Sequence, residues 1–203
     1  MYIVCSDLES VLIPEIWVAV SAATGIPELQ VTTRDIPDYK VLMKQRLQIL
    51  STHNLTLPTI HHIIETIKPF EGAPTFLNWL RAHFPTIILT DSFYEFLTPL
   101  MEKLGYPTIF CNSLEIDNRG FITNYHLRQP DGKVNAIQAL KSLNFQIIAI
   151  GDSYNDIDML RAADIGILFK PSKNIQQGFP ELPMVSSYSE LQTHLQPLLS
   201  PHP

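Results

Sequence analysis

The chain has 203 residues, enough for one large domain or a core with a smaller insert, and 45% of them are hydrophobic, which excludes wholesale disorder. Its formal net charge is −6, from 14 Lys and Arg against 20 Asp and Glu, without the basic patch that a nucleic-acid partner requires. No apolar run is long enough to cross a bilayer, the start MYIVCSDLES lacks a secretory pattern, and the two cysteines, Cys5 and Cys111, form no CxxC pair, so reduced thiols and a cytoplasmic location are expected.

Residues 2–6, YIVCS, are the first expected strand, with Cys5 as a small core residue. Pro14 and Gly25 are placed to open and close a helix. A second helix is expected over about 38–51, where Tyr39, Leu42, Arg46, Ile49 and Leu50 share a face, while Lys40, Lys44 and Gln48 turn to solvent. Ile60, Ile63, Ile64 and Ile67 mark a third buried face, with His61 and His62 beside it and facing solvent. Phe76, Leu77, Leu80 and Phe84 mark the next helix, and Phe93, Phe96, Leu97, Leu100 and Leu104 the one after. Strands are expected at 86–91, 108–111, 146–152 and 165–169. Residues 121–127 alternate after the turn signal DNRG, which predicts a small β-hairpin. A last helix follows Ser186, and the closing SPHP is expected to fray.

Strands that stay apolar throughout, alternating with helices, predict a parallel sheet covered on both faces, an α/β fold. Residues 14–68 contain helices and no strand, so they read as a helical insert after the first strand. The expected division is a core of residues 1–13 and 69–203 with an inserted domain of 14–68.

In such sheets ligands bind at the carboxyl ends of the strands. Asp7 follows the first strand, Thr90 and Asp91 the second, and Asp152, Asn155 and Asp156 follow QIIAIG. Asp7, Asp152 and main-chain carbonyls are hard oxygen ligands without a competing Cys/His cluster, which favours Mg²⁺ over zinc and suits a phosphate-handling site. Lys133, ahead of the helix before QIIAIGD, supplies a second cation. Arg46 is a cation in an otherwise apolar stripe, either a stem that packs while its head reaches solvent or a fork for a carboxylate.

Taken in order, DLES, Thr90 in ILTDS, Lys133 and GDSYND resemble the four motifs of the haloacid dehalogenase superfamily, whose type-one cap is a helical insert between the first two. KPFEGA and DYKVLMKQRLQIL are similar to its phosphoserine phosphatase branch. From about residue 1 to 195 the chain resembles the bacterial type that also transfers the phosphoryl group to homoserine. The resemblance implies a Rossmann-like three-layer core, a cap, Mg²⁺ and a small amino-acid phosphate as substrate, with no nucleic-acid or membrane partner and a homodimer left open. It implies Asp7 as nucleophile and Glu9 as general acid and base. Asp7, Asp152 and the Glu9 carbonyl would hold the metal, and Thr90, Asp91, Lys133 and Asn155 the phosphoryl group. Asp156 would orient Lys133 or a metal-bound water. Arg46 matches the carboxylate-binding arginine and Glu15 the residue for the substrate ammonium. Glu9 stands where Asp is usual, and TDS where a hydroxyl and two glycines are common, which leaves the choice between water and an alcohol as acceptor open. Three other readings stand beside this one: a phosphatase for another small metabolite, a receiver-type phospho-acceptor domain, and a dehalogenase. The receiver reading is weakened by length and by the order of the acids, and the dehalogenase reading by the Mg²⁺ set.

Overall fold

The computed structural model describes residues 1–32, 35, 36 and 38–199; the SPHP tail lies outside the described residues. The first strand, β1 (Tyr2–Ser6), sends Ile3 and Cys5 to one side of the sheet and Val4 to the other, and all three are buried. Burial pushes the Cys5 thiol up to about 12, as befits a core residue. Both cysteines are free.

Four helical segments follow. Helix α1 (Ile16–Thr24) starts two residues beyond Pro14 and ends at Gly25, whose φ of 71° lets its N–H reach the Ser21 carbonyl at 2.9 Å. A 3₁₀ turn at Pro27–Gln30 leads on. Helix α2 (Tyr39–Thr52) is capped by Asp38, whose Oδ1 accepts from the N–H of Lys40 and of Val41 at 2.8 and 3.3 Å. It buries Leu42, Met43, Arg46 and Leu50 and exposes Lys40, Lys44 and Gln48, the expected split. Helix α3 (Leu57–Ile64) buries Ile60 and Ile64, and Ile67 is buried just past its end. His62 is exposed as expected, but His61 is half-buried with Nε2 2.5 Å from the Glu95 carbonyl, because the segment carrying Glu95 packs over that side.

Helix α4 (Ala73–His83) precedes β2 (Thr86–Phe93). The expected helix over Phe93–Leu104 is not formed. Phe93 closes β2, α5 (Tyr94–Leu97) is a single turn, and a 3₁₀ turn spans Thr98–Leu100. Pro99 explains this: in a helix interior it lacks the N–H and clashes with the preceding turn. The five apolar side chains are nevertheless all buried, so the pattern reported burial correctly and the period wrongly.

Strand β3 (Thr108–Ile116) runs past the expected end and pairs antiparallel with β4 (Ile122–His126). Between them Asp117 Oδ1 accepts from the N–H of Arg119 and of Phe121, both at 2.9 Å, forming the DNRG turn. Then come α6 (Gly132–Ser142), β5 (Gln146–Gly151), α7 (Ile157–Ala162), β6 (Ile165–Phe169), α8 (Lys173–Gly178), β7 (Met184–Val185) and α9 (Tyr188–Leu195).

The seven strands lie in the order β4-β3-β2-β1-β5-β6-β7, parallel except for β4. Helices α4 and α9 contribute to the core on one face, together with α1, α2 and α3, and α6, α7 and α8 form the other. The order reverses at β1, with β2 on one side and β5 on the other, and the carboxyl ends of β1 and β5 therefore open a crevice. Among the described residues no helix is long and apolar enough to cross a membrane.

Candidate active site

Asp7 is the residue after β1, and its N–H donates to the Ile150 carbonyl on β5 at 2.8 Å, which fixes it over the crevice. Leu8 is buried in the core, so Asp7 and Glu9 on either side of it can line the same cavity, and both do. The chain then turns sharply: Ser10 has a φ of 62° and its N–H donates to the Ile13 carbonyl at 2.7 Å. That turn delivers Ile16, whose N–H at the start of α1 donates to Glu9 Oε2 at 2.8 Å. Burial raises the Glu9 carboxyl above the ordinary range; the Ile16 N–H opposes this, the Glu15 charge adds to it, and Ser92 and Arg46 pull back.

Lys133 is the second residue of α6 rather than a residue ahead of it. Its ammonium is buried and donates at 2.8 Å to both Asp7 Oδ1 and Asp156 Oδ1, with Asp91 Oδ2 3.5 Å away. Burial alone would lower Lys133, but the charges of Asp156, Asp7 and Asp91 overcome it and hold the ammonium well above its usual range. Asp156 is fully buried beneath the site. Its other oxygen accepts from the N–H of Asp152 at 3.0 Å, the N–H of Ser153 at 3.1 Å and the Ser153 hydroxyl at 3.2 Å. Asp156 thus ties the loop after β5 to Lys133.

That loop explains the glycine of GDSYND. A Cβ on Gly151 would lie 2.4 Å from Asp156 Cβ and 2.5 Å from its Cγ. Gly151→Ala is therefore expected to push Asp156 off Lys133 and to cost about 1–3 kcal/mol of stability, the usual scale of overpacking. Urea unfolding measures this, and a variant as stable as the parent would show that the loop relaxes freely.

On the other side of β1, the pairing of β2 with β3 is interrupted between Leu89 and Phe93. There Thr90 and Ser92 are buried and line the cavity, while Asp91 between them is exposed at the rim. The helical segment supplies the remaining walls. Glu15 precedes α1 without capping it, and accepts from the Ser10 hydroxyl at 3.4 Å. Arg46 is 7% exposed, so its head does not reach solvent. Its guanidinium lies 4.4 Å from the centre of the Trp17 ring and donates to the Val31 carbonyl at 2.9 Å. Burial pulls it down to about 10, and among the described residues its Nε has no hydrogen-bond partner.

These groups meet in one cavity of about 130 Å³. Asp7, Glu9, Glu15, Arg46, Thr90, Asp91, Lys133, Asp152 and Asn155 all line it, and Asp156 sits below. Ser10, Trp17, Tyr39 and Ser92 line it as well and were not expected there. Two-residue alternation from Thr90 pointed to Ser92, and Tyr39 stood on the Arg46 face of its helix; Trp17 had no signal in the sequence.

A metal fits this donor set. Oxygens of Asp7, Asp152 and Asp156 lie within 4.8 Å of one another. Burial raises the Asp7 carboxyl well above its usual range, Lys133 opposes this, and the charges of Asp156 and Asp152 add to it. Three acids around one ammonium leave an excess of negative charge that a hard divalent cation offsets. Asp156 already has both oxygens engaged, which points to Asp7 and Asp152 as the direct carboxylate ligands.

Residues 12–164 match the haloacid dehalogenase-like hydrolase family. The chain is 53% identical over 191 residues to the phosphoserine phosphatase ThrH of Pseudomonas aeruginosa, covering 94% of this chain and 93% of that one. It is also 53% identical over 189 residues to the phosphoserine phosphatase of Pseudomonas syringae pv. tomato, covering 93% and 80%. A solved structure described as a phospho-aspartyl intermediate analogue of phosphoserine phosphatase shares the fold, with a TM-score of 0.76 at 18% identity over 95% of this chain and 97% of that one. The family match begins after Asp7 and Glu9, whose placement rests on the site itself.

Proposed function

Because the chain belongs to the haloacid dehalogenase-like hydrolases, we propose that it is a phosphatase for O-phospho-L-serine, acting through a phosphorylated Asp7 and also passing the phosphoryl group to homoserine. One observation carries the substrate reading: the cavity that holds Asp7 and Lys133 is also lined by a buried arginine, Arg46, and by Glu15, a pair suited to a carboxylate and an ammonium. The two Pseudomonas relatives named as phosphoserine phosphatases support it.

In this reading Asp7 attacks phosphorus, and Glu9 gives its proton to the serine oxygen as that bond breaks. Glu9 then takes a proton from the incoming water or homoserine hydroxyl, and Asp7 is released. Thr90, Lys133 and Asn155 hold phosphoryl oxygens, Asp91 lies at the rim, and Asp156 keeps Lys133 in place. Mg²⁺, held by Asp7, Asp152 and the Glu9 carbonyl, would neutralise phosphate charge beside these acids. Residues 14–68 act as a cap over a core of 1–13 and 69–203. The substrate is a small molecule met in the cytoplasm.

Phosphate release from phosphoserine, with phosphohomoserine formation on adding homoserine, tests the activity. Arg46 separates recognition from chemistry. Arg46→Ala is expected to lose a charge-assisted contact of about 1.5–3 kcal/mol, a factor of roughly 10–150 in kcat/KM for phosphoserine. Phosphoethanolamine, which lacks the carboxylate, should be turned over almost as before. An unchanged ratio between the two substrates would make Arg46 a structural brace.

A further inference from the structure

Beyond the site lies a second, larger cavity of about 320 Å³, walled by apolar Leu89, Phe110, Leu127 and Met159 and by the charged Arg128 and Asp158. Both cavities are lined by Tyr39, Thr90, Asp91, Lys133 and Asn155. Thr90 and Asp91 belong to β2, Lys133 to α6 and Asn155 to the turn after β5. Among the described residues, Tyr39 is the one from the helical segment that lines the second cavity.

Tyr39 is fixed at three points. It opens α2 directly after the Asp38 cap. Its ring meets Tyr125 of β4 edge-on, with centroids 5.8 Å apart at 83°. Its hydroxyl donates to the Asp91 carbonyl at 3.4 Å, an oxygen that also accepts from the Asn112 amide at 3.0 Å. The ring therefore stands, held at both ends, on the boundary that the two cavities share with Thr90, Asp91, Lys133 and Asn155, and the space beyond it has a mixed apolar and charged lining.

We propose that Tyr39 is the specificity-determining residue that separates the phosphate site from the second cavity and thereby restricts the alcohol part of the phosphomonoester to a short chain. This rests on the reading of the site as one that hydrolyses phosphomonoesters. With the ring removed, an aryl leaving group can lie against Phe110 and Leu127 while its phosphate stays with Lys133 and Thr90.

The test compares kcat/KM for 4-nitrophenyl phosphate and phosphoserine. Tyr39→Ala is expected to raise the aryl-to-serine ratio by roughly tenfold or more, through a gain on the aryl ester. Tyr39→Phe keeps the ring and should keep the ratio. Adding Leu127→Trp to Tyr39→Ala fills the second cavity and should reverse the gain. Tyr39→Leu, which keeps an apolar contact on Tyr125, carries the same expectation if the alanine variant does not fold. An unchanged ratio in the alanine or leucine variant, or an equal rise in Tyr39→Phe, overturns the proposal. If no form of the chain hydrolyses phosphoserine, the substrate reading fails instead. The partition then stands or falls on whether 4-nitrophenyl phosphate turnover rises in Tyr39→Ala alone.

Discussion

Asp7→Asn is expected to abolish turnover and leave the fold intact. The amide nearly matches the carboxylate in shape but is a poor nucleophile, so no phosphorylated intermediate forms. The buried Lys133 ammonium loses one partner at 2.8 Å but retains Asp156 at the same distance and Asp91 at 3.5 Å, so the charge stays compensated. Phosphate release and the thermal midpoint, measured on the same preparation, separate the two effects. Substantial phosphatase activity in the variant would contradict covalent catalysis by Asp7.

Glu9→Gln is expected to lower the rate on phosphoserine roughly 10²–10⁴-fold, the usual loss for a general acid–base group. Its carboxyl is raised mainly by burial, so it keeps its proton closer to neutral pH, as a donor to an alkoxide requires. The variant keeps a hydrogen-bond acceptor for the Ile16 N–H, so the turn into α1 survives. With 4-nitrophenyl phosphate the leaving group needs no proton, and the first step should lose much less. A burst experiment that finds equal losses of the first step for both esters would remove Glu9 from the acid role.

The strands and the acids at their ends were legible because the central strands are buried on both faces and read as unbroken apolar runs. Arg46 was legible for a similar reason: a charge in an apolar helical stripe is conspicuous, and the structure buries it. The stretch from Phe93 to Leu104 shows the limit of periodicity. Five apolar residues at helical spacing are all buried, yet Pro99 prevents a continuous helix. Strand β3 was read too short because beyond Cys111 the apolar run gives way to NSLEI, an alternating stretch that pairs with β4. The site's remaining walls depend on contacts between distant segments. Tyr39 against Tyr125, Trp17 under Arg46 and Lys133 on Asp7 are fixed by tertiary packing, and local patterns do not encode it. The tight turn at Ser10 hides for a different reason, since a left-handed serine has no sequence mark of the kind glycine leaves.

The central claim is that Asp7 carries the phosphoryl group. Its most direct test is a rapid acid quench of the protein during turnover of phosphoserine labelled in its phosphorus, followed by digestion and location of the label. The label is expected on the peptide containing Asp7, appearing together with a burst of serine ahead of free phosphate, and absent from Asp7→Asn. Label on another residue, or steady turnover with no labelled peptide and no burst, would contradict it.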